Sequence, residues 1–273
     1  MSIRFLLFYI GLTCLLACGK EKGMTPEPTP ADSVNDGILK VLFIGNSHTS
    51  YYDLPKTFKA IMASAAFPDS IQVAVSAPGG FSLEEHAKSN QTLDLLNGDN
   101  WDWVVLQENA TLAALPQAAA EIQVYPFATQ LQNRIKKNNS ETKTMLYMTH
   151  AYQGGAPDCA TIPNSCTYDW MQNEIRHNYL MMADRLGAKV APAGMMWKIL
   201  LSQKELDLWE VDTIHPSPTG AYISALTLFA SMQEQRLGDV LFVPGFLAAT
   251  DRDLIFKVIN ESIFDDNPNW KVY

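Results

Sequence analysis

The chain has 273 residues, of which 47% are hydrophobic and 18% charged, and its formal net charge is −9. This composition is typical of a globular protein, and the length is sufficient for one large domain with a substantial core. The acidic balance argues against nucleic acid as a partner, because its phosphates would be repelled. The sequence has no P-loop, no dinucleotide-binding fingerprint and no metal-binding spacing, so it predicts neither a cofactor nor a metal site.

The N-terminus predicts export and a lipid anchor. Arg4 precedes an apolar run over residues 5–17, which is too short to span a bilayer comfortably. The run ends in Leu15-Leu16-Ala17-Cys18, which resembles a bacterial lipobox. This resemblance implies that Cys18 is lipidated and becomes the first mature residue of a membrane-anchored lipoprotein facing the periplasm or the cell surface. An uncleaved anchor or an ordinary signal peptide is the alternative.

We therefore expect three parts along the chain. Residues 1–18 form the signal peptide with its lipobox cysteine, 19–36 a proline-rich flexible tether, and 37–273 a single folded domain. Within that domain only Cys159 and Cys166 remain, in a loop rich in proline, glycine and asparagine. In an oxidising compartment a disulfide that closes this loop is favoured over two free thiols.

Short β-rich runs alternate with helical stretches along the domain. The predicted strands are 38–44, 71–76, 103–107, 144–149 and 188–193, and the predicted helices are 54–65, part of 83–96, 116–137, 169–186, 194–203, 218–235 and 250–264. This alternation indicates βαβ units and an α/β fold, a three-layer α/β/α sandwich around a parallel sheet. With the strand order 2-1-3-4-5, ligands would bind beyond the carboxyl ends of the strands beside strand 1.

The first motif follows strand 38–44. Gly45-Asn46-Ser47-His48 cannot prolong a buried strand, and glycine permits a sharp turn that lifts the next side chains out of the sheet. A strand, a tight turn with an exposed serine and then a helix form a geometry that suits a nucleophile. An ordinary βα loop would also accept these residues, so the motif alone decides nothing.

The second motif supplies a base. Asp212-Thr213-Ile214-His215 precedes a helix whose start is signalled by Ser217 and Pro218. A serine hydroxyl is a poor nucleophile unless an imidazole removes its proton, and a carboxylate improves that imidazole by fixing its tautomer. His215 could therefore act as the base for Ser47, and Asp212 could fix the tautomer of His215.

Together the two motifs resemble the first and last sequence blocks of the SGNH (GDSL-type) hydrolases, with Asn46 in place of their usual aspartate. The resemblance implies a flavodoxin-like sandwich of about five parallel strands and ester hydrolysis, often of acyl groups on carbohydrates. By matching position, Ser47 is the expected nucleophile, His215 the general base and Asp212 the orienting carboxylate.

The middle blocks of the family, which supply the oxyanion hole, match less well. Besides the backbone of Ser47, Gly80 is the best match for the family's glycine amide, with Gly79 as the neighbouring alternative. The third block is normally Gly-x-Asn-Asp, and this chain has Leu106-Gln107-Glu108-Asn109. The side chain of Gln107 or that of Asn109 would complete the hole. We favour Gln107 slightly, because it is nearer the strand, and alternation along a strand does not separate the two.

Other polar and aromatic residues receive simpler interpretations. We expect His48 in a wall of the pocket, His150 in a loop at the same edge of the sheet, and His86 and His177 on the surface. Glu84 and Glu85 are interpreted as carboxylates of a first helical turn. Trp103 is expected in the core, whereas Trp101 and the pair Tyr51 and Tyr52 are candidates for stacking on sugar rings.

The sequence thus predicts a serine esterase that acts on a small acyl ester, and the expected substrate is an acetylated glycan. Two alternatives remain open: a glycan-binding surface lipoprotein with the same fold and weak or no activity, and a lipase or thioesterase.

Overall fold

A five-stranded parallel sheet forms the centre of the computed structural model, which describes residues 37–65, 70–157, 161, 165–239 and 242–265. Its strands are β1 (Ile38–Ile44), β2 (Ser70–Ser76), β3 (Trp103–Leu106), β4 (Lys143–Tyr147) and β5 (Lys189–Ala191). The spatial order is β2-β1-β3-β4-β5, and every pair is parallel. The predicted α/β architecture and the predicted strand order are confirmed.

Helices cover both faces of this sheet. They are α1 (Ser47–Ser50), α2 (Leu54–Ser64), α3 (Leu83–Lys88), α4 (Asn90–Asn97), α5 (Ala110–Ala113), α6 (Gln117–Gln123), α7 (Tyr125–Asn138), α8 (Tyr168–Leu186), α9 (Ala193–Gln203), α10 (Pro218–Gln233) and α11 (Ala249–Phe264). Short 3-10 helices lie at Tyr51–Asp53 and Leu237–Asp239. Among the described residues, none of these helices is both long enough and apolar enough to cross a bilayer.

The core lies on both sides of the central strands. Val41, Leu42, Phe43 and Ile44 of β1 are completely buried, which explains why this strand is apolar without alternation. Helix α10 is buried on nearly all sides and packs against α2 and α9. Gly220 permits this packing, because a Cβ there would lie 2.3 Å from Cζ2 of Trp197 and 2.4 Å from the carbonyl oxygen of Leu208.

Two predicted helices are divided in the structure. The predicted stretch 83–96 breaks at Ser89, whose hydroxyl caps α4 by accepting a hydrogen bond from the backbone N–H of Thr92. The predicted helix 116–137 breaks at Val124, and Pro126 lies in the first turn of α7. Proline is tolerated there because the first N–H groups of a helix have no intrahelical acceptor.

Trp101 and Trp103 lie at the amino-terminal end of β3, opposite the carboxyl edge of the sheet. Trp103 is buried at the first position of β3, as expected of a core residue. Trp101 is buried as well, and its indole N–H donates to the carbonyl oxygens of Leu95 and Leu96. The interpretation of Trp101 as a sugar-stacking residue is therefore wrong.

Candidate active site

The serine lies where β1 ends, and a glycine makes the turn possible. A Cβ at Gly45 would lie 2.4 Å from Oγ1 of Thr49 and 2.6 Å from Oε1 of Gln107. Any larger residue would displace both side chains. The chain can therefore turn tightly at Gly45 and begin α1 at Ser47, at the carboxyl edge of the sheet.

Asn46 fixes the orientation of this short helix. Its Oδ1 accepts a hydrogen bond from the backbone N–H of His48 at 3.1 Å, so Asn46 acts as the N-cap of α1. Its Nδ2 donates to the carbonyl oxygen of Phe81 at 2.9 Å, which ties the turn to the loop after β2. Asn46 thus has a clear structural task at a position where the SGNH pattern usually has aspartate.

The structure brings Ser47, His215 and Asp212 together. Nε2 of His215 lies 2.9 Å from Oγ of Ser47, and Nδ1 of His215 lies 2.5 Å from Oδ2 of Asp212. Oδ1 of Asp212 accepts the backbone N–H groups of Ile214 and His215, each at 2.9 Å. Slight burial would raise the pKa of Asp212, but these bonds from His215 and Ile214 prevail and lower it to about 2.

The turn that carries His215 is held by its own backbone. The N–H of Glu210 donates to the carbonyl oxygen of His215 at 2.8 Å, and the N–H of Thr213 donates to that of Glu210 at 2.9 Å. Thr213 has a φ of 63°, a left-handed conformation that is unfavourable for a β-branched residue. Ser217 then caps α10 by accepting the N–H of Gly220. Since the turn is fixed at both ends, His215 is presented from a rigid element.

Tyr51 and Tyr52 contact the same turn from the other side. The ring of Tyr51 stacks on the imidazole of His215 with centroids 4.0 Å apart and an angle of 3° between the planes. The hydroxyl of Tyr52 donates to Oε1 of Glu210. The face of Tyr51 that touches His215 is therefore not available for sugar stacking, whereas Tyr52 is about half exposed.

Two further histidines, His48 and His150, pack next to the turn that carries His215. The rings of His48 and His150 stack at 4.3 Å, and His150 stacks on Trp197 at 3.9 Å. Nε2 of His150 donates to the carbonyl oxygen of Ile214 at 3.0 Å. Burial, together with the nearby His215, lowers the pKa of His150 to about 3 despite that bond, and burial also lowers the pKa of His48 well below its ordinary value. Both rings are therefore uncharged at neutral pH.

A crevice of about 520 Å³ opens in front of Ser47. It is lined by Asn46, Ser47, His48, Tyr51, Gly79, Gly80, Asn109, Ala110, Tyr152, Ile214 and His215. The expectation that His48 forms part of the pocket wall agrees with this lining.

Gly80 and Asn109 both line this crevice and are bonded to each other. Gly80 has a φ of 77°, which favours glycine, and its carbonyl oxygen accepts a hydrogen bond from Nδ2 of Asn109 at 3.1 Å. Because an amide nitrogen carries two hydrogens, Asn109 keeps a second donor. Oδ1 of Asn109 caps α5 by accepting the backbone N–H of Thr111 at 3.0 Å and its hydroxyl at 2.7 Å.

Gln107 does not reach the crevice. It is completely buried, and its Oε1 accepts the backbone N–H of Asn46 at 2.9 Å and the hydroxyl of Thr49 at 2.8 Å. Its Nε2 donates to the carbonyl oxygen of Glu108 at 2.6 Å. The preference for Gln107 over Asn109 as the oxyanion donor is therefore wrong, because the amide of Gln107 is used to hold the nucleophile turn.

His86 also differs from expectation. It is completely buried on α3, with Nε2 lying 2.7 Å from the carbonyl oxygen of Gly45 and Nδ1 lying 2.9 Å from Oγ1 of Thr92. The interpretation as a surface residue is wrong, since His86 supports the turn that leads to Ser47. His177 is partly exposed on α8 and bonds to Gln117, which agrees with a surface position.

The remaining residues singled out in the sequence are placed as follows. Glu84 and Glu85 lie in the first turn of α3, as expected, and Glu85 closes a capping box with Ser82. Cys166 forms a disulfide bond, and its predicted partner Cys159 lies outside the described residues. Cys18 and the whole of 1–36 lie outside them as well. In the described part of the chain, no group of three or more His, Cys, Asp or Glu side chains has the arrangement of a metal site.

Comparison with known proteins supports the fold. Neither protein-family models nor curated proteins match the sequence. Among solved structures, a protein from Slackia heliotrinireducens assigned to the SGNH hydrolases is 24% identical, with a TM-score of 0.59 and coverage of 71% of this chain and 99% of that one.

Two further structures are similar. A DUF4886 family protein from Bacteroides uniformis is 18% identical, with a TM-score of 0.66 and coverage of 86% and 97%. A lipase/acylhydrolase from Enterococcus faecalis is 17% identical, with a TM-score of 0.52 and coverage of 72% and 96%. The chain therefore has the fold of the SGNH and GDSL-type hydrolases.

Proposed function

We propose that this protein is a serine hydrolase of carboxylic esters. The observation that carries the proposal is the continuous line of hydrogen-bonded groups from Ser47 through His215 to Asp212. Ser47 lies at a crevice that is also lined by Gly80 and Asn109, whose N–H groups can donate to a substrate oxygen. A nucleophile, a base and a carboxylate that orients the base are the three groups that acyl transfer from an ester requires.

The reaction follows from these positions. Nε2 of His215 accepts the hydroxyl proton while Oγ of Ser47 bonds to the ester carbonyl carbon, which places a negative charge on the former carbonyl oxygen. The backbone N–H groups of Ser47 and Gly80 and the second amide hydrogen of Asn109 stabilise that oxyanion. The carbon–oxygen bond to the alcohol then breaks, and His215 returns the proton to the leaving oxygen. Water repeats the sequence on the acyl-serine, which releases the acid and free Ser47.

The crevice favours a short acyl group with a polar alcohol. Among the described residues that line it, the aliphatic side chains are those of Ala110 and Ile214, and Tyr51 and Tyr152 add aromatic surface. A long acyl chain needs more apolar surface than these four side chains provide, since the gain from burial is roughly proportional to the apolar area that leaves water. We infer that the substrate is a small acyl ester, such as an O-acetyl group on a carbohydrate, rather than a lipid.

Acetate release from 4-nitrophenyl acetate and from acetylated oligosaccharides tests the proposal. Ser47→Ala and His215→Ala should each remove most activity, with losses on the order of 10⁴-fold, and the double variant should be little worse than either single variant. A chain-length series of 4-nitrophenyl esters should show the highest kcat/KM for acetate. An active Ser47→Ala variant, or strictly additive losses, would contradict the proposed roles.

We also propose that the protein is an exported lipoprotein anchored through Cys18. The support is the sequence alone: the apolar run over 5–17 and the lipobox-like residues that end in Cys18. An anchored domain of this kind would meet its substrate outside the cytoplasm, which fits an ester carried by a glycan of the cell envelope or the surroundings.

A further inference from the structure

Glu108 carries a buried carboxyl group that the proposed mechanism does not use. Its side chain is 1% exposed. Its Oε1 accepts the backbone N–H of Asn109 at 2.6 Å and that of Leu83 at 3.1 Å. Among the described residues, Oε2 is buried without a hydrogen-bond partner. A group in this position requires an explanation, because an unpartnered buried oxygen is costly.

The hydrogen bonds of Glu108 join two loops at the candidate active site. Leu83 begins α3 directly after the loop that contains Gly80, and Asn109 begins the segment after β3. The same two loops are joined a second time by the bond from Nδ2 of Asn109 to the carbonyl oxygen of Gly80. Glu108 therefore sets the distance between the two loops that carry the proposed oxyanion donors, without touching the substrate.

The surroundings of Glu108 disfavour a negative charge. Burial is the largest cause that raises the pKa of Glu108, and repulsion from the carboxylates of Glu85 and Glu84 on α3 raises it further. The N–H groups of Asn109 and Leu83 act in the opposite direction but are outweighed, so the pKa of Glu108 rises to about 8. From α8 the group that faces this residue is the hydroxyl of Tyr179, which accepts the backbone N–H of Glu108 at 2.9 Å. Among the described residues, Glu108 has no salt bridge to a cation.

We propose that Glu108 is a positioning residue that holds the oxyanion loops together as a neutral carboxylic acid, and that its ionisation at alkaline pH weakens ester hydrolysis. The proposal rests on the proposed function. A neutral acid leaves only one O–H without an acceptor, whereas the carboxylate would leave an uncompensated charge beside the site. That charge would oppose the oxyanion that forms against Gly80 and Asn109, so the loss should fall on kcat more than on KM.

The decisive comparison is Glu108→Gln, because glutamine keeps the shape and the accepting oxygen but cannot ionise. The kcat of the wild-type protein on 4-nitrophenyl acetate, corrected for background hydrolysis, should fall as the pH rises through about 8 and then level off at the lower activity of the ionised form. Glu108→Gln should have similar activity at pH 7 and lose this alkaline decline. Glu121→Gln, which removes the same charge from the surface of α6, should behave like the wild type. An alkaline decline that persists in Glu108→Gln, or a folded Glu108→Gln that is inactive at every pH, would overturn the proposal.

A stability measurement separates this proposal from the proposed function. The pKa of Glu108 is raised in the folded state, so the folded protein binds this proton more tightly than the unfolded chain between about pH 4.5 and pH 8. The stability that Glu108 contributes is therefore greatest at low pH and decreases as the pH rises through that window. The urea midpoint of the wild type should decrease relative to that of Glu108→Gln from pH 5 to pH 8, and parallel midpoints would refute the buried neutral acid. If the midpoints diverge while the wild type hydrolyses no ester, the proposed function is refuted, but the buried neutral carboxyl group of Glu108 is supported. If the midpoints diverge and the protein is active without an alkaline decline, the positioning role has failed and the function stands.

Discussion

Exchanging the side-chain donor at Asn109 should separate catalysis from stability. Asn109→Asp keeps an oxygen where Oδ1 of Asn109 accepts the N–H and the hydroxyl of Thr111, so the cap of α5 remains. It removes both hydrogens of Nδ2, one of which reaches the carbonyl oxygen of Gly80. The remaining hydrogen is the one that we assign to the oxyanion.

The expected magnitudes follow from these contacts. Loss of one side-chain oxyanion donor costs roughly 10²–10³ in kcat, which is about 3–4 kcal/mol of transition-state stabilisation. Loss of the exposed bond to Gly80 costs about 1 kcal/mol in the free energy of unfolding, and repulsion between the new carboxylate and the carbonyl oxygen of Gly80 adds to this cost. Gln107→Ala should show the reverse pattern: it removes three buried hydrogen bonds, to Asn46, Thr49 and Glu108, and should lower the free energy of unfolding by about 3 kcal/mol or more.

The assay is steady-state kinetics on 4-nitrophenyl acetate combined with urea unfolding of the same preparations. We expect Asn109→Asp to lower kcat at nearly unchanged KM, and to lower the unfolding midpoint less than Gln107→Ala does. Gln107→Ala should unfold at a clearly lower urea concentration than the wild type. At a temperature where it is folded, it should retain more of the wild-type kcat than Asn109→Asp does. If Asn109→Asp has normal kcat while a stably folded Gln107→Ala is inactive, the assignment of the donors is wrong.

Three further changes test other parts of the structure. Tyr51→Leu removes the ring stacked on His215, which stabilises the imidazolium that forms during proton transfer, and kcat should fall about threefold to thirtyfold, whereas Tyr51→Phe should remain near normal. Gly220→Ala places a Cβ against Trp197 and should lower the free energy of unfolding by about 1–3 kcal/mol, read from thermal unfolding. Cys18→Ser should abolish lipidation and move the protein from the membrane fraction to the soluble fraction.

Specific results would contradict these expectations. Equal kcat values for Tyr51→Leu and Tyr51→Phe would show that the stacked ring does not assist His215. An unchanged melting temperature for Gly220→Ala would mean that α10 can shift away from Trp197 at no cost. Firm membrane association of Cys18→Ser would refute the lipobox.

The sequence was sufficient where the signal is local and strong. The apolar run of β1 has no alternation, which indicates a strand buried on both faces, and the structure buries it completely from Val41 to Ile44. The residues of the candidate triad follow from two short motifs, because each motif places its polar side chains directly after or before a well-marked element. The alternation of strands and helices indicated a doubly wound sheet but did not choose between its two common strand orders; the order 2-1-3-4-5 was assumed, and the structure confirms it.

The sequence was insufficient where the answer depends on where a strand stops. The expectation that Gln107 and Asn109 share one side requires that β3 extends to Asn109, but β3 ends at Leu106. Asn109 is instead the N-cap of α5 with a φ of −54° and a ψ of 130°, so the period of two no longer applies. His86 was misjudged for a related reason: a lone histidine on a short helix carries no signal that its partner is the carbonyl oxygen of Gly45, 41 residues earlier.

The hydrogen bond between Ser47 and His215 spans 168 residues, from the first strand to the beginning of α10. Neither end of the chain can function without the other, since the sheet supplies the hydroxyl and the segment before α10 supplies the base. A folding intermediate with all five strands paired but α10 undocked would have most of its secondary structure and yet no means to remove the serine proton. Once the five strands are paired, only the segment between the end of β5 and His215 still has to close, and the packing of α10 against α2 and α9 completes that step. The ester turnover that we propose would therefore report that the domain has closed from β1 to α10, which would make it a stricter measure of native structure than circular dichroism.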